Sequence, residues 1–181
     1  MQQEFFKDIL RNQHNAKILE RWQAIDLPDC WLVAGCLFQT LWNLRSGRSA
    51  ETDIRDYDLF YFDGQDLSAE AERAVQARID RLFEDLGVKI EASNQARVHV
   101  WYESYFGHPY APLKSSKDGI DHFLVKETCV GVRPGEVYAP HGIAAVYSGD
   151  LSPNPLAPHD RLFQAKAASY QERWTWLQVK L

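Results

Sequence analysis

IRDYDLFYFD, residues 54–63, sets two aspartates, Asp56 and Asp58, one residue apart at the mouth of an aromatic and aliphatic run. Aspartate is a poor strand former. Leu59, Phe60, Tyr61 and Phe62 are nevertheless apolar or aromatic at every position, the pattern of a strand covered on both faces. Carboxylates at the edge of such an element cost free energy unless something positive meets them. A metal ion is the partner this placement points to. Two apart on a strand, the side chains leave the same face, with Cα atoms roughly 6–7 Å apart. From that distance they can hold one Mg²⁺ or share two ions about 3.5–4 Å apart, an arrangement that drives phosphoryl transfer.

Upstream, CWLVAG (30–35) predicts a short buried strand, Trp31 to Ala34, halted at Gly35. CLFQTLWNLRSG (36–47) then takes up helical spacing through Leu37, Leu41 and Leu44, with Gly47 as a stop. A strand, a glycine turn and a helix start form a physical anion site, because the first-turn N–H groups have no partner within the helix. Gly35 and Cys36 are the candidate residues there. Downstream, Ala71, Val75, Ile79, Leu82, Phe83 and Leu86 repeat on one face and predict a helix over 68–86. VKIEAS (88–93) alternates as a strand and offers Glu91 as a third carboxylate, with Glu103 and Asp121 as fallbacks. ARVHVWYE (96–103) alternates again and predicts a further strand with Arg97, His99 and Trp101 on one face. An amphipathic helix is expected from residue 4 to about 25, short strands at 122–126, 128–133 and 136–138, and a closing helix from 159 to about 173.

This order predicts an α/β (α+β) domain, helices packed on a mixed sheet. One domain over 1–181 is expected: an N-terminal helix within 1–28, a catalytic-type core at 29–103, and strands, a loop and a helix at 104–181. The net charge of -5 argues against a nucleic-acid coat. Three cysteines, Cys30, Cys36 and Cys129, have no paired spacing and fit reduced thiols in the cytoplasm. His108, His122, His141 and His159 have no zinc-like spacing with them. The start, MQQEFFKDIL, lacks a basic head and apolar run, so no signal peptide is expected, and no segment is apolar enough to span a bilayer.

WLVAGCLFQTLWN (31–43), IRDYDLFYFD (54–63), NQARVHVWYE (94–103) and the tail pattern YAPHG…PNP…KAASYQERW (138–174) resemble a small stand-alone bacterial nucleotidyltransferase-like family of the DNA polymerase beta-like nucleotidyltransferase superfamily. The resemblance runs from about Trp31 to Trp174. It implies a nucleotidyltransferase-like mixed sheet and attack of an acceptor hydroxyl on the α-phosphorus of an NTP, releasing pyrophosphate. It also implies Gly35 and Cys36 at the triphosphate, and Asp56, Asp58 and Glu91 on Mg²⁺ or, alternatively, Mn²⁺. Glu91 would help take the acceptor's proton. Where the superfamily has Gly-Gly or Gly-Ser this chain has Gly35-Cys36, a change that spares the backbone N–H. The acceptor is expected to be a small molecule or a protein rather than nucleic acid. The alternative is a catalytically inactive member that binds nucleotide or a partner protein.

Overall fold

The computed structural model describes residues 1–181. Three short helices, α1 (Gln2–Ile9), α2 (Gln13–Glu20) and α3 (Trp22–Ile25), lead into β1 (Trp31–Val33) and α4 (Gly35–Arg45). β2 (Asp56–Tyr61), α5 (Ala69–Leu82), β3 (Lys89–Asn94) and α6 (Val98–Phe106) follow. The chain continues through α7 (Ser116–Asp121), β4 (Gly131–Arg133), β5 (Glu136–Tyr138), α8 (Ile143–Ser148) and β6 (Asp150–Leu151) to α9 (Asp160–Arg173) and β7 (Gln178–Val179). The main sheet has the order β3-β2-β1-β4-β5, with β2 and β3 parallel and the other neighbours antiparallel. It is a mixed α+β architecture with a closing C-terminal helix.

The alternation along β2 sorts core from cleft. Tyr57, Leu59 and Tyr61 are buried, whereas Asp56 is exposed and Asp58 and Phe60 are half-buried. The first set joins a large apolar cluster with Leu32, Ile90 and Ala92, under helices that include α1, α4 and α9. The second set shares its face with Trp31, Val33 and Ile120, a small cluster against which Phe60 and Phe123 pack. The expectation that β2 is covered on both faces is therefore corrected. One face is sealed; the other is roofed only around Phe60 and stays open around the aspartates.

α9 closes over α4 through rings. Trp42 lies 5.2 Å from Tyr170 and 5.2 Å from Trp174, centroid to centroid. The Trp174 indole N–H donates to Asn43 Oδ1 at 2.9 Å. Edge-on aromatic pairs of this kind add about 0.5–1.5 kcal/mol each to the burial of their surface. They fix the distance between the helix that starts at Gly35 and the helix that carries Lys166 and Arg173.

Three expectations for secondary structure need correction. The long N-terminal helix breaks at Leu10–Asn12, because Asn12 takes an extended conformation and its side chain caps α2, accepting from the N–H groups of His14 and Asn15. Residues 96–103 are not a strand. Asn94 Oδ1 accepts from Ala96 N at 3.1 Å, a 3₁₀ turn spans Gln95–Arg97, and α6 runs on to a left-handed Gly107. Arg97 is drawn back to Glu72 at 2.6 Å and to the Leu67 carbonyl, so it does not share a strand face with His99 and Trp101. Of the strands expected at 122–138 only β4 and β5 form; Val125 makes an isolated bridge to Pro153.

Candidate active site

The site begins with the turn between β1 and α4. Ala34 adopts φ 64°, ψ -136°, a left-handed conformation that costs a residue with a Cβ about 1–3 kcal/mol. Its carbonyl already accepts from Leu37 N and Phe38 N, which starts the helix abruptly and presents Gly35 to the cleft. A Cβ at Gly35 would stand 2.6 Å from Gln39 Nε2, so a side chain there would push the flexible Gln39 amide aside. Cys36 behaves differently. Its side chain is fully buried, with Sγ 3.4 Å from the Val33 carbonyl, and burial pushes the thiol well above its usual range. Only its backbone can serve an anion.

Strand register brings the carboxylates together. Val33 of β1 lies opposite Asp58, and Asp58 lies beside Glu91 of β3, with Asp56 beside Lys89. Asp56 and Asp58 line a cleft of about 970 Å³; Glu91, one strand over from Asp58, does not line it. The Glu91 carboxylate is drawn onto Lys89 Nζ at 2.8 Å. Burial, then the charges of Glu91 and Asp56, raise the Asp58 carboxyl to about 7, against partial relief from Lys166 and Lys89. No group of three or more His, Cys, Asp or Glu side chains stands together in metal-holding geometry. Asp56 and Asp58 are the pair the structure does bring together. Their hard oxygen donors and only partly offset negative charge suit a small divalent cation such as Mg²⁺. The fallback residues lie elsewhere in function: Glu103 is exposed on α6, and Asp121 accepts the Tyr138 hydroxyl at 2.7 Å.

α9 supplies what the sequence reading left out. His159, Leu162, Lys166, Ser169 and Arg173 recur at helical spacing and all line the cleft. Arg173 Nη1 donates to Gln39 Oε1 at 3.3 Å, next to the Gly35 turn, and lies 4.4 Å over the Trp174 ring. Arg55 lines the same end, together with Asp53 and Glu172. The polar stripe on α9 was visible in the sequence at a three- and four-residue period. The sequence points instead to the apolar residues Leu162, Phe163, Ala167 and Trp174, of which Leu162 turns to the cleft and the others to the core.

A family model described as nucleotidyltransferase matches residues 20–179. Among solved structures, an NMR structure described as revealing a CCA-adding enzyme head domain superposes with a TM-score of 0.79 at 25% identity, covering 98% of this chain and 95% of that one. A comparison with curated proteins finds no match. No helix is long and apolar enough to cross a membrane.

Proposed function

The chain belongs to the nucleotidyltransferase family, and we propose that it transfers NMP from an NTP to a hydroxyl acceptor in the cleft between β2 and α9. The observation that carries this is that Asp56, Asp58, Gly35, Lys166 and Arg173 all line one cleft, with Val33, two residues before Gly35, paired with Asp58 on the neighbouring strand. Asp56 and Asp58, with Glu91 once it leaves Lys89, would hold Mg²⁺ or Mn²⁺. When bound, such an ion supplies charge neutralisation of the phosphates and a more acidic hydroxyl.

The chain's own residues do the rest. Backbone N–H groups at Gly35 and Cys36, with Gln39 and Arg173, bind and orient the β- and γ-phosphates. Lys166, near enough to Asp58 to offset part of its excess negative charge, faces the α-phosphate. Glu91 takes the acceptor's proton on a carboxylate oxygen and passes it to water. Glu91→Gln is expected to lower kcat by about 10²–10³, within the usual range for a general base, with little change in the KM for NTP. Arg173→Gln is expected to weaken binding of MgATP about tenfold, the loss of one or two charge-assisted hydrogen bonds. Isothermal titration would read that loss. An unchanged affinity would remove Arg173 from the phosphate site.

The Lys89–Glu91 pair favours a second reading, a member that binds nucleotide without turning it over. Transfer of label from α-labelled NTP separates the two. The first reading requires labelled product and released pyrophosphate; the second predicts a Mg²⁺-dependent thermal shift with neither. A cytoplasmic setting suits both, given the reduced, buried thiols of Cys30, Cys36 and Cys129.

A further inference from the structure

The cleft has two chemically different ends. Along β2, Asp56 and Phe60 lie about 13 Å apart, and from His159, the N-cap of α9, to Arg173 is about 21 Å. Near Asp56 lie Arg55, Arg173 and the Gly35 turn. Beyond Phe60 the wall is aromatic. Phe60 meets Phe123 at 5.7 Å, and Tyr110 meets the neighbouring His122 at 5.8 Å. Tyr102 lies 4.3 Å from Tyr110 and 4.6 Å from Phe106, while His108 stacks on His159 at 4.3 Å. Cleft-lining residues between 102 and 162 include no Asp, Glu, Lys or Arg. The carboxylates nearest them are turned elsewhere: Asp118 lies 3.8 Å from the His122 ring, Asp121 accepts the Tyr138 hydroxyl, and neither these nor Glu103 and Asp160 line the cleft.

From these observations, and resting on the nucleotidyl-transfer reading above, we infer that the aromatic end is the acceptor pocket and that it takes an uncharged molecule whose hydroxyl adjoins a planar ring. In phosphoryl transfer the attacking and leaving oxygens lie roughly in line across the phosphorus. With the diphosphate leaving toward Gly35 and Arg173, the acceptor enters from the opposite end. Its oxygen forms the new bond to the α-phosphorus, and the α–β bridging P–O bond breaks. Pyrophosphate carries off the electron pair, and the hydroxyl proton goes to Glu91 once that side chain has left Lys89 and turned toward the cleft.

The character of the wall selects the acceptor. A polycationic sugar needs carboxylates to meet its ammonium groups, and this end presents none to the cleft. An RNA 3′ end needs cations along its phosphates, and none line it either. Faces and edges of Tyr102, Phe106 and Tyr110 instead offer offset or edge-on packing to a flat ring. Phe106 is 43% exposed and Leu162 41% exposed, so these apolar surfaces are open to an incoming molecule.

The test uses the full chain and four probes: 2-phenylethanol, its saturated counterpart 2-cyclohexylethanol, an aminoglycoside, and a short RNA. Saturation-transfer NMR without NTP is expected to show 2-phenylethanol bound through its ring. With MgATP labelled at the α-phosphate, its kcat/KM is expected to exceed that of 2-cyclohexylethanol about tenfold. Tyr102→Leu and Phe106→Leu, both at accessible positions, are each expected to raise the KM for the ring alcohol about tenfold while moving kcat far less. The inference is overturned if the ring alcohol fails to bind, if its saturated counterpart serves equally well, or if RNA or the aminoglycoside is labelled instead. Pyrophosphate release from MgATP by the unaltered chain, with water or any of the four probes as acceptor, tests nucleotidyl transfer separately, since ring binding is read without nucleotide.

Discussion

Asp58→Asn is expected to abolish transfer and, at the same time, to make the nucleotide-free protein more stable above neutral pH. The catalytic loss should be a thousandfold or more, the order of several kcal/mol that a divalent ion and its ligands supply to phosphoryl transfer. The Mg²⁺-dependent thermal shift with ATP should disappear with it. The stability gain has a definite pH window. In the folded chain burial and the neighbouring Glu91 and Asp56 charges hold the Asp58 carboxyl at about 7; in the unfolded chain it titrates near about 4. A carboxyl raised on folding favours the native state only while protonated. Its contribution is therefore full below pH ~4 and is lost as the pH rises to about 7. Asparagine does not titrate. Against the parent at pH 8, the variant should gain on the order of 1–2 kcal/mol after allowance for solvent screening, or roughly 2–8 °C in Tm. At pH 4 the advantage should vanish. A variant less stable than its parent at pH 8, or one that keeps the Mg²⁺-dependent shift, would show that Asp58 is not a carboxylate held in a charge cluster awaiting a cation.

Asn12→Ala should unfold the chain more readily and blunt the site from behind. Asn12 is fully buried. Its amide donates to Thr40 Oγ1 at 3.0 Å and to the Tyr57 hydroxyl at 3.1 Å, while its carbonyl oxygen caps α2. Tyr57 is the residue between the two aspartates, so this one side chain ties the N-terminal helices to α4 and to the strand that carries the aspartates. Alanine removes a cap and leaves two buried hydroxyls short of a partner, a cost of about 2–4 kcal/mol, or roughly 5–15 °C. Asn12→Ser should keep the cap and recover part of the loss, because serine is also a good N-cap but is too short to reach Tyr57. Chemical denaturation of the three proteins would read the series. A loss below about 0.5 kcal/mol for alanine would mean the network does not hold the strand.

Much of the site was legible before any coordinates. The Asp-x-Asp spacing placed two carboxylates on one strand face because side chains alternate with period two, and the β2 pattern bears this out. The turn before α4 was readable to within a residue, since a strand stop followed by helical spacing leaves few other local geometries, but the positive φ falls on Ala34 and Gly35 opens the helix. The limits came where sequence periodicity is ambiguous. Residues 96–103 alternate like a strand, yet Asn94 caps and Glu72 pulls Arg97 inward, so the backbone coils into α6 instead. Alternation over eight residues is weak against a side chain that satisfies the first free N–H of a helix.

By itself the sequence determined the local elements that carry charge: which strand bears the aspartates, where a helix begins at a glycine, and which family the order of these pieces resembles. Such features depend on neighbours a few residues apart. Only the tertiary structure decided that Asp58 lies beside Glu91 while Lys89 holds that glutamate, that Cys36 points into the core, and that Arg173 arrives beside Gln39, 134 residues earlier. Those are matters of strand register and of how the rings of α9 seat on α4. No local pattern encodes them, because their energy comes from surfaces that meet only when the chain has closed.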